Sequence, residues 1–304
     1  GLAMPELMAG AIQDCLPISD KPIIAYISPH APEVGALLTQ RGVPAYASAE
    51  SCTAALDAMW RVGRWQEPTD LEATSEKVAG DDLPVGSLDE ARAKQLFARF
   101  GVPCAREVIV TTPAEAVAAA RELGGRVVLK ILSSEITHKT EVGGVAVALT
   151  PDTIAARLAA MAAEVENKAG VRPQRFLVQE MVAGGTELIL GMHRDALGTA
   201  VLLGMGGLTA ELFKDTTMRL LPPQGGLSRA EALAMAQELR TWPLLDGFRG
   251  RPKADVDALV TAIVAFSQMT AQLGEHLIEA EINPVFVLPE GQGVRAADGV
   301  VVLA

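Results

Sequence analysis

A lysine lies inside an apolar run that is predicted to form a strand. Lys130 interrupts residues 127–132 (VVLKIL), and the polar loop of residues 133–144 (SSEITHKTEVGG) follows directly. A lysine in a buried strand is costly unless an anion meets its ammonium. The pattern predicts an anion at Lys130, and the loop makes phosphate groups the leading hypothesis. The alternative is an edge-strand lysine whose ammonium reaches water.

The loop after Lys130 has the composition of a phosphate-binding segment. Gly143 and Gly144 allow backbone amides to approach an anion closely, while His138 and Lys139 are placed to lie over a polyphosphate. His138 is open to three interpretations from its position alone. It could donate a hydrogen bond to phosphate, accept a phosphoryl group, or be an exposed loop histidine.

A second polar cluster is predicted on a strand at residues 277–287 (LIEAEINPVFV). Side chains alternate between the two faces of a strand, so one face packs and the other offers oxygen ligands. The alternation gives an apolar face of Ile278, Ala280 and Ile282 and an oxygen-bearing face of Glu279, Glu281 and Asn283.

A hairpin after this strand is expected to bring Asp298 alongside it. A carboxylate and an amide oxygen on neighbouring strands suit Mg²⁺, which takes few protein oxygens and completes its shell with water and phosphates. The alternative is an edge strand with solvated acids, whose edge position is marked by Pro284.

A third segment combines a strand end, a turn and a strand start. Gln179 and Glu180 end an apolar run, residues 184–185 are a glycine pair, and Glu187 begins the next run. Such a hinge could recognise an adenine edge through backbone groups while a carboxylate binds a ribose hydroxyl. An ordinary hairpin with surface acids would have the same pattern.

A fourth segment contains the glycine-rich residues 204–207 (GMGG), which lack the spacing of a dinucleotide-binding fingerprint. The charged residues that follow are Glu211, Lys214, Asp215 and Arg219. They could line a catalytic loop in which Arg219 stabilises a transferred phosphoryl group, or they could form a solvated face without a role.

The elements that must position these residues are marked by caps and periodicity. Capping boxes predict helix starts at Ser87 with Glu90, Thr112 with Glu115 and Ser228 with Glu231. Strands are predicted at 106–110, 126–132, 145–149, 176–182, 186–192, 200–204, 277–287 and 294–303, and further helices at 151–168 and 255–273. Strands in pairs, divided by single helices, indicate α+β sandwiches.

The N-terminal part has a different organisation. Residues 20–65 alternate strand and helix twice, which predicts a small parallel sheet, and residues 66–84 are polar and acidic, as in a linker. Two such units are few for an independent domain. We therefore expect residues 1–66 to be part of a longer polypeptide, with a linker at 67–85 and a separate domain at 86–304.

Composition excludes several classes of function. The 304 residues carry a net charge of -11, which argues against general binding to nucleic acid or anionic membranes. Cys15, Cys52 and Cys104 are odd in number and widely spaced, so a disulfide framework or a zinc site is not expected. These features, without an apolar run of about 20 residues, favour the reduced cytoplasm.

The four segments, in this order, resemble the ATP-grasp domain of the ADP-forming (NDP-forming) acyl-CoA synthetases, relatives of succinyl-CoA synthetase. The resemblance covers residues 86–304. Its motifs are VVLKILSSEITHKTEVGGVAVAL, VQEMVAGGTELILGMHRD, GMGGLTAELFKDTTMRLLPP and EINPVFV. It implies an ATP-grasp fold of two α+β lobes, and residues 1–66 resemble the closing part of the family's flavodoxin-like CoA-ligase subdomain.

The resemblance also implies roles for the nucleotide-binding residues. Lys130 would grip the phosphates of ATP or ADP, and the loop with Lys139, Gly143 and Gly144 would close over them. Glu180, Met181 and Val182 would form the adenine hinge, and Glu187 would point toward the nucleotide.

Further roles concern metal and phosphoryl transfer. Asn283 and Asp298 match magnesium ligands, Glu281 matches a carboxylate that steadies a phosphohistidine arriving from another domain, and His138 matches a histidine that relays the phosphoryl group. The implied reaction converts acid, CoA and ATP to acyl-CoA, ADP and phosphate through an acyl phosphate and a phosphohistidine.

The chain departs from the family because no CoA-binding Rossmann domain or phosphohistidine segment is recognisable before residue 67. We expect those parts, and most CoA contacts, in the full-length chain or in a separate subunit, and no acyl-CoA formation by this chain alone. The alternatives are another ATP-grasp carboxylate ligase and a regulatory synthetase-like domain of a protein acetyltransferase. Lys130, Asn283 and Asp298 count against the regulatory alternative. Homo-oligomer formation is left open.

Overall fold

The computed structural model describes residues 4–18, 21–64, 83–133, 136, 139–207, 215–222 and 225–304. The chain divides into two units, Gly1–Thr69 and Asp70–Ala304. This division falls within residues 67–85, the segment predicted as a linker.

The first unit alternates helices and strands. Its elements are α1 (Pro5–Cys15), a 3-10 turn (Leu16–Ile18), β1 (Ala25–Tyr26), α2 (Pro32–Gln40), β2 (Ala45–Tyr46) and α3 (Ala49–Arg64). The two strands pair in parallel, as the alternating pattern predicts. Ala9, Leu38 and Val43 form a small buried core. The identification of this unit with a flavodoxin-like subdomain stays a prediction.

The second unit begins with a short strand and a helix and continues into a small lobe. The elements are β3 (Gly86–Ser87), α4 (Glu90–Arg99), and then, in the small lobe, β4 (Glu107–Val110), α5 (Pro113–Leu123), β5 (Val127–Ile131), β6 (Val145–Leu149), α6 (Ile154–Ala169) and β7 (Phe176–Glu180). The four strands of the small lobe form an antiparallel sheet in the order β4-β7-β5-β6. Strand β5 therefore lies inside the sheet.

The two faces of this small sheet have different surroundings. Leu129, Ile131 and Val178 are buried in the core that the sheet forms with α5 and α6. Lys130 and Gln179 alternate with those core residues along their strands, so they lie on the opposite face. That face looks toward the remainder of the second unit.

The large lobe contains the longer sheet. Its elements are β8 (Thr186–Asp195), β9 (Gly198–Met205), β10 (Thr216–Leu220), α7 (Arg229–Glu238), α8 (Trp242–Leu245), 3-10 turns at Phe248–Gly250 and Gly274–His276, α9 (Val256–Leu273), β11 (Leu277–Val287), β12 (Val294–Ala296) and β13 (Gly299–Leu303). The strand order is β10-β9-β8-β11-β13-β3, and β12 also pairs with β11. Strand β11 is central, so the alternative that placed it at a sheet edge is wrong.

Helix α9 is the main helix of the large core. Within the described part of the chain, the segment Val256–His276 alone is long and apolar enough to cross a membrane, and 61% of its most apolar window is buried inside the protein. Leu259, Ile263 and Phe266 are among its residues in the core. A core helix has these properties because it is apolar on nearly every side.

A β-bulge changes which side chains of β11 are buried. The register with β13 shifts between Leu277 and Glu279. Leu277, Ala280 and Ile282 are consequently buried, whereas Ile278 is 56% exposed. The predicted burial of Ala280 and Ile282 is confirmed and that of Ile278 is wrong, because the extra residue reverses the alternation at this point.

Two of the three predicted capping boxes are present. The side chains of Thr112 and Ser228 each accept a hydrogen bond from the N3 backbone N–H, and the N3 glutamate carboxylate accepts one from the backbone N–H of the N-cap residue. The prediction at Ser87 is wrong, because Ser87 pairs with Val302 in the sheet and Asp89 caps α4 instead. Glu90 therefore takes no part in a capping box.

Helix α4 joins the two lobes. Leu96 and Phe97 are buried in the core of the large lobe. On the other side, Ala91 packs with Leu132 and Leu177 of the small lobe. The first turn of α4 therefore lies where the open face of the small sheet meets the large lobe.

Candidate functional site

The ammonium of Lys130 is fully partnered inside the protein. Lys130 is 6% exposed, and its Nζ donates to Glu90 Oε1 at 2.7 Å, to the Ala297 carbonyl at 2.8 Å and to Asp298 Oδ2 at 3.3 Å. Three acceptors use all the protons of an ammonium. The expectation that an anion meets Lys130 is confirmed, but the anions are carboxylates of the chain itself. The alternative of an edge-strand lysine is wrong.

Lys139 reaches the same carboxylates from the loop. Its Nζ pairs with Glu90 Oε2 and lies 3.5 Å from Asp298 Oδ1. Burial by itself would lower the pKa of Lys139, but the charges of Glu90 and Asp298 raise that pKa above its usual value. Lys139 is therefore charged at neutral pH.

The glycine pair determines where Lys139 lies. The Gly144 N–H donates to the Lys139 carbonyl at 2.7 Å, the Gly143 N–H donates to the Thr140 carbonyl at 3.1 Å, and the Ile131 N–H donates to the Gly144 carbonyl at 2.9 Å. A Cβ on Gly144 would lie 2.7 Å from Ile131 Cδ1 and 2.9 Å from the Lys139 oxygen. Only glycine allows the turn to pack this closely against β5.

Gly144→Ala is expected to displace Lys139 and to weaken nucleotide binding. The contact with buried Ile131 should also reduce the free energy of unfolding by about 1–3 kcal/mol, the usual range for an overpacked site. Calorimetric titration with ADP and thermal unfolding measure the two effects. Gly63→Ala is the control, because a Cβ there has no neighbouring atom within 4 Å. Unchanged ADP affinity in Gly144→Ala would show that the turn does not place Lys139.

Glu90 is the centre of the cluster, although its sequence pattern predicts only a capping role. Its Oε1 accepts from Lys130 and, at 2.8 Å, from Lys94, while Oε2 accepts from Lys139. The i,i+4 spacing of Glu90 and Lys94 is a local signal that could have identified this pair. Lys94 also pairs with Glu107. Three ammoniums, those of Lys94, Lys130 and Lys139, thus meet three carboxylates, those of Glu90, Glu107 and Asp298.

The lysines hold Glu90 ionised. Burial by itself would raise the pKa of Glu90, but the charges of Lys130, Lys94 and Lys139 outweigh it and keep the pKa well below its usual range. A lowered pKa in the folded state means that this carboxylate stabilises the fold above its unfolded-state pKa of about 4.3. That contribution is lost as the pH falls toward the folded-state pKa.

Asp298, in the connection between β12 and β13, is a neighbour of Asn283 on β11. The Asn283 N–H donates to the Asp298 carbonyl at 3.1 Å, and the Asn283 side-chain amide donates to Glu281 Oε1 at 3.2 Å. The predicted pairing of the two segments is therefore confirmed. The Asp298 side chain is 31% exposed, which leaves carboxylate surface accessible beside Lys130 and Lys139.

This donor set fits a hard divalent cation. Among the described residues, no group of three or more His, Cys, Asp or Glu is arranged as a complete metal site. Mg²⁺ does not need one, because it is commonly held by one or two protein oxygens together with substrate phosphates and water. The Asp298 carboxylate and the Asn283 amide meet that requirement.

The predicted adenine hinge lies at the end of β7, in the same sheet as Lys130. Glu180 Oε2 accepts from Arg106 Nε at 2.7 Å, and Oε1 accepts from the Arg106 N–H at 2.9 Å. The Met181 N–H donates to the Arg126 carbonyl at 3.1 Å, and Val182 is half-buried. The Glu180 carboxylate thus holds β4 beside β7, and the hinge role of residues 180–182 stays a prediction.

Glu187 packs against the glycine-rich segment after β9. The Gly206 N–H donates to the Glu187 carbonyl at 2.8 Å, and a Cβ on Gly207 would lie 2.8 Å from Glu187 Oε2. These glycines therefore allow close packing on β8. The Glu187 side chain is exposed, and its role toward a nucleotide stays a prediction.

Arg219 does not join the lysine cluster. It lies on β10, a strand that the sequence pattern does not predict, opposite the buried Val201. Its guanidinium pairs with Glu238 of α7 at 2.6 Å, on the helix-covered side of the sheet. Glu281 is opposite Gly191 on the other side. Arg219 and Glu281 thus lie on opposite faces of the large sheet. For Arg219, this geometry favours the interpretation without a catalytic role.

His138 lies outside the described residues, as do Glu211 and Lys214. The relay role of His138 stays a prediction. Asp215 lies within the described residues. Its carboxylate accepts hydrogen bonds from the backbone N–H groups of Arg240 at 2.8 Å and Thr241 at 2.9 Å. Asp215 therefore fixes the start of the turn before α8.

The second unit matches known proteins over nearly its whole length. A family model described as the ATP-grasp domain matches residues 84–303. The beta subunit of acetate–CoA ligase (ADP-forming) II from Pyrococcus furiosus is 30% identical over 220 residues, which are 70% of this chain and 90% of that subunit. The 4-hydroxybutyrate–CoA ligase (ADP-forming) of Nitrosopumilus maritimus is 32% identical over 279 residues, 86% of this chain but only 39% of that ligase.

Solved structures agree with this match. The dinucleotide-forming acetyl-coenzyme A synthetase 1 of Ca. Korarchaeum cryptofilum, in complex with coenzyme A and Ca-AMPCP, superposes with a TM-score of 0.66 at 33% identity, covering 72% of this chain and 94% of that chain. Its complex with coenzyme A and Mg-AMPPCP gives a TM-score of 0.60 at 33% identity, covering 72% and 93%. In that complex, a phosphohistidine segment points towards the nucleotide-binding site.

Proposed function

This chain belongs to the ATP-grasp domain family, and from that membership we propose that it is the nucleotide-binding and phosphoryl-transfer part of an ADP-forming acyl-CoA synthetase. The predicted ATP-grasp fold is confirmed. The overall reaction proposed is acid, CoA and ATP in equilibrium with acyl-CoA, ADP and phosphate. The chain spans 39% of the Nitrosopumilus ligase, so the remaining steps are assigned to other domains or to a partner subunit.

One observation carries the proposal. Lys130 from β5 and Lys139 from the loop converge on Asp298, next to Asn283, at the junction of the two lobes. Two ammoniums beside two oxygen ligands can neutralise the phosphates of a nucleotide and hold its cation. Phosphoryl transfer depends chiefly on such positioning and charge stabilisation.

Binding requires an exchange of partners at the two lysines. Asp298 is their weaker and more exposed acceptor, at 3.3 Å from Lys130 and 3.5 Å from Lys139, whereas Glu90 is buried. We propose that phosphate oxygens replace Asp298 on the ammoniums. The released Asp298 carboxylate, with Asn283, would then hold Mg²⁺, which supplies further charge neutralisation at the phosphates.

The protein has an apolar surface beside Lys130 that could receive the nucleotide base. Val145 pairs with Lys130, and Val147, two residues along β6, is 61% exposed on the same side of the sheet as Val128. An aromatic base can cover such aliphatic side chains while hinge backbone groups bind its edge. This surface supports residues 180–182 as the adenine hinge.

Glu281 is proposed to meet a phosphohistidine that another domain brings to the cleft. It is half-buried on the open face of the large sheet, and its carboxylate already accepts from Asn283. A carboxylate that accepts a hydrogen bond from an imidazole holds the ring in one orientation. His138, in the loop that carries Lys139, would relay the phosphoryl group.

Calorimetric titration of the chain with ADP and ATP, with and without Mg²⁺, tests the proposal. Both nucleotides should bind, and Mg²⁺ should strengthen binding because it is shared by phosphates and Asp298. Adenosine is the control ligand, and it should bind far more weakly because it lacks phosphates. Absence of ADP and ATP binding would contradict the proposed function.

A further inference from the structure

The Glu90 carboxylate contacts both lysines of the proposed phosphate site, which is more than the neutralisation of a single lysine requires. The side chain is buried, and each oxygen faces a lysine of the proposed phosphate site: Oε1 faces Lys130 at 2.7 Å, and Oε2 faces Lys139. We infer that Glu90 is the positioning residue of the phosphate site, holding the two ammoniums side by side at the distance set by one carboxylate. This inference rests on the proposed function.

The carboxylate of Glu90 is held by a rigid support. Glu90 is the first residue of α4, and the cap residue before it, Asp89, accepts from the Arg92 N–H at 3.0 Å and from Arg175 at 3.3 Å. The next residue, Ala91, is buried against Leu132 and Leu177 of the small lobe. A group on a packed helix defines a position more narrowly than a loop does. Lys139, which comes from a loop, is therefore aligned by Glu90 and not the reverse.

Of the two carboxylates that Lys130 and Lys139 share, Asp298 can be replaced by a phosphate and Glu90 cannot. Asp298 is partly exposed and lies at 3.3 Å or more from both ammoniums, so a phosphate can replace it. Glu90 is enclosed by Lys130, Lys139 and, at 2.8 Å, Lys94. Removing a buried charge from its partners is strongly unfavourable. Glu90 therefore remains in place when a nucleotide enters, and the ammoniums keep their spacing.

Lys94 provides a matched control that tests whether Glu90 has only a structural role. Lys94 is as buried as Glu90 and shares its Oε1, but its other charged partner is Glu107 of β4. Among the described ion pairs, Lys94 does not pair with Asp298. If the cluster served only to hold the lobes together, removing either charge would affect stability and nucleotide binding alike.

The experiment compares Glu90→Gln with Lys94→Met. Each variant is titrated with ADP in the absence of Mg²⁺, and its thermal unfolding is followed in parallel. Glu90→Gln is expected to bind ADP at least about tenfold more weakly, the typical loss when a residue that orients a ligand-binding group is removed. Lys94→Met should lose stability but retain ADP affinity within about twofold, because Lys130 and Lys139 keep both oxygens of Glu90.

A double-mutant cycle separates positioning from general stability. In a Lys130→Met background, Glu90→Gln should cost much less ADP affinity than in the wild type, because its effect acts through Lys130. Wild-type affinity in Glu90→Gln, an equal loss in Lys94→Met, or additive losses in the cycle would overturn the inference. Failure of the wild type to bind ADP would instead overturn the proposed function.

Glu90→Asp tests the same point if Glu90→Gln does not fold. It keeps the negative charge but withdraws the carboxylate by one methylene, so the fold retains its counter-charge while the ammoniums lose their spacing. Reduced ADP affinity with near-native unfolding temperature supports positioning. Unchanged affinity in this variant overturns it.

Discussion

Lys130→Met is expected to weaken ADP and ATP binding by at least about 30-fold, because losing one partner of a buried charged hydrogen bond costs about 2–5 kcal/mol and every 1.4 kcal/mol is a factor of about ten. Methionine fills similar space without the charge. The fold should survive, since Glu90 keeps Lys94 and Lys139 as partners, and the Ala297 carbonyl keeps the Gln179 side chain at 2.9 Å.

Calorimetric titration and thermal unfolding measure the effect of Lys130→Met. Lys253→Met is the matched control, since Lys253 is a surface lysine paired with Asp246 at 2.7 Å. Its nucleotide affinity should equal that of the wild type. If Lys130→Met bound ADP as tightly as this control, Lys130 would be only a structural member of the buried cluster.

Asp298→Asn is expected to abolish the effect of Mg²⁺ on nucleotide binding while leaving metal-free binding intact or stronger. Nucleotide affinity should therefore fall in the presence of Mg²⁺ and be kept or rise in its absence, and both effects have one physical cause. The carboxylate competes with phosphates for Lys130 and Lys139, at 3.3 and 3.5 Å, and its charge is also the proposed attraction for the cation. Neutralising it removes both interactions.

Titration of ADP with and without Mg²⁺ gives both quantities in one series. Asp246→Asn serves as control, because Asp246 is half-exposed and pairs with Lys253 on the surface. It should show the full wild-type response to Mg²⁺. A response of the same size in Asp298→Asn would exclude this carboxylate as the metal ligand, and weaker metal-free binding would exclude competition with phosphate.

Much of the second unit could be predicted from local pattern. The bounds of β11, 277–287, are those observed, and the caps at Thr112 and Ser228 are correct, because alternation and capping involve residues close in sequence. Predictions failed where a contact between distant residues intervened. Ser87 was drawn into the sheet by Val302, and a bulge against β13 exposed Ile278.

Most residues of the candidate site were predicted from the sequence, but the contacts between them were not. Lys130, Lys139, Asn283 and Asp298 were all identified from their segments and are brought together. Arg219 was included because it follows a glycine-rich segment, yet sheet register places it on the helix-covered face with Glu238. Glu90 was assigned to a cap, since its proposed role depends on Lys130 and Lys139, which are distant from it in sequence.

The sequence by itself determined that Lys130 needs an anion, because an ammonium in an apolar strand is unstable alone, whatever the fold. It also determined which loop and strand carry the other polar groups. Only the tertiary structure decided which anions those are. Glu90 and Asp298 lie 40 and 168 positions from Lys130, and chain folding alone brings them within hydrogen-bonding distance. Electrostatic pairing acts through space, so the residues near Lys130 in the sequence do not reveal these two distant partners.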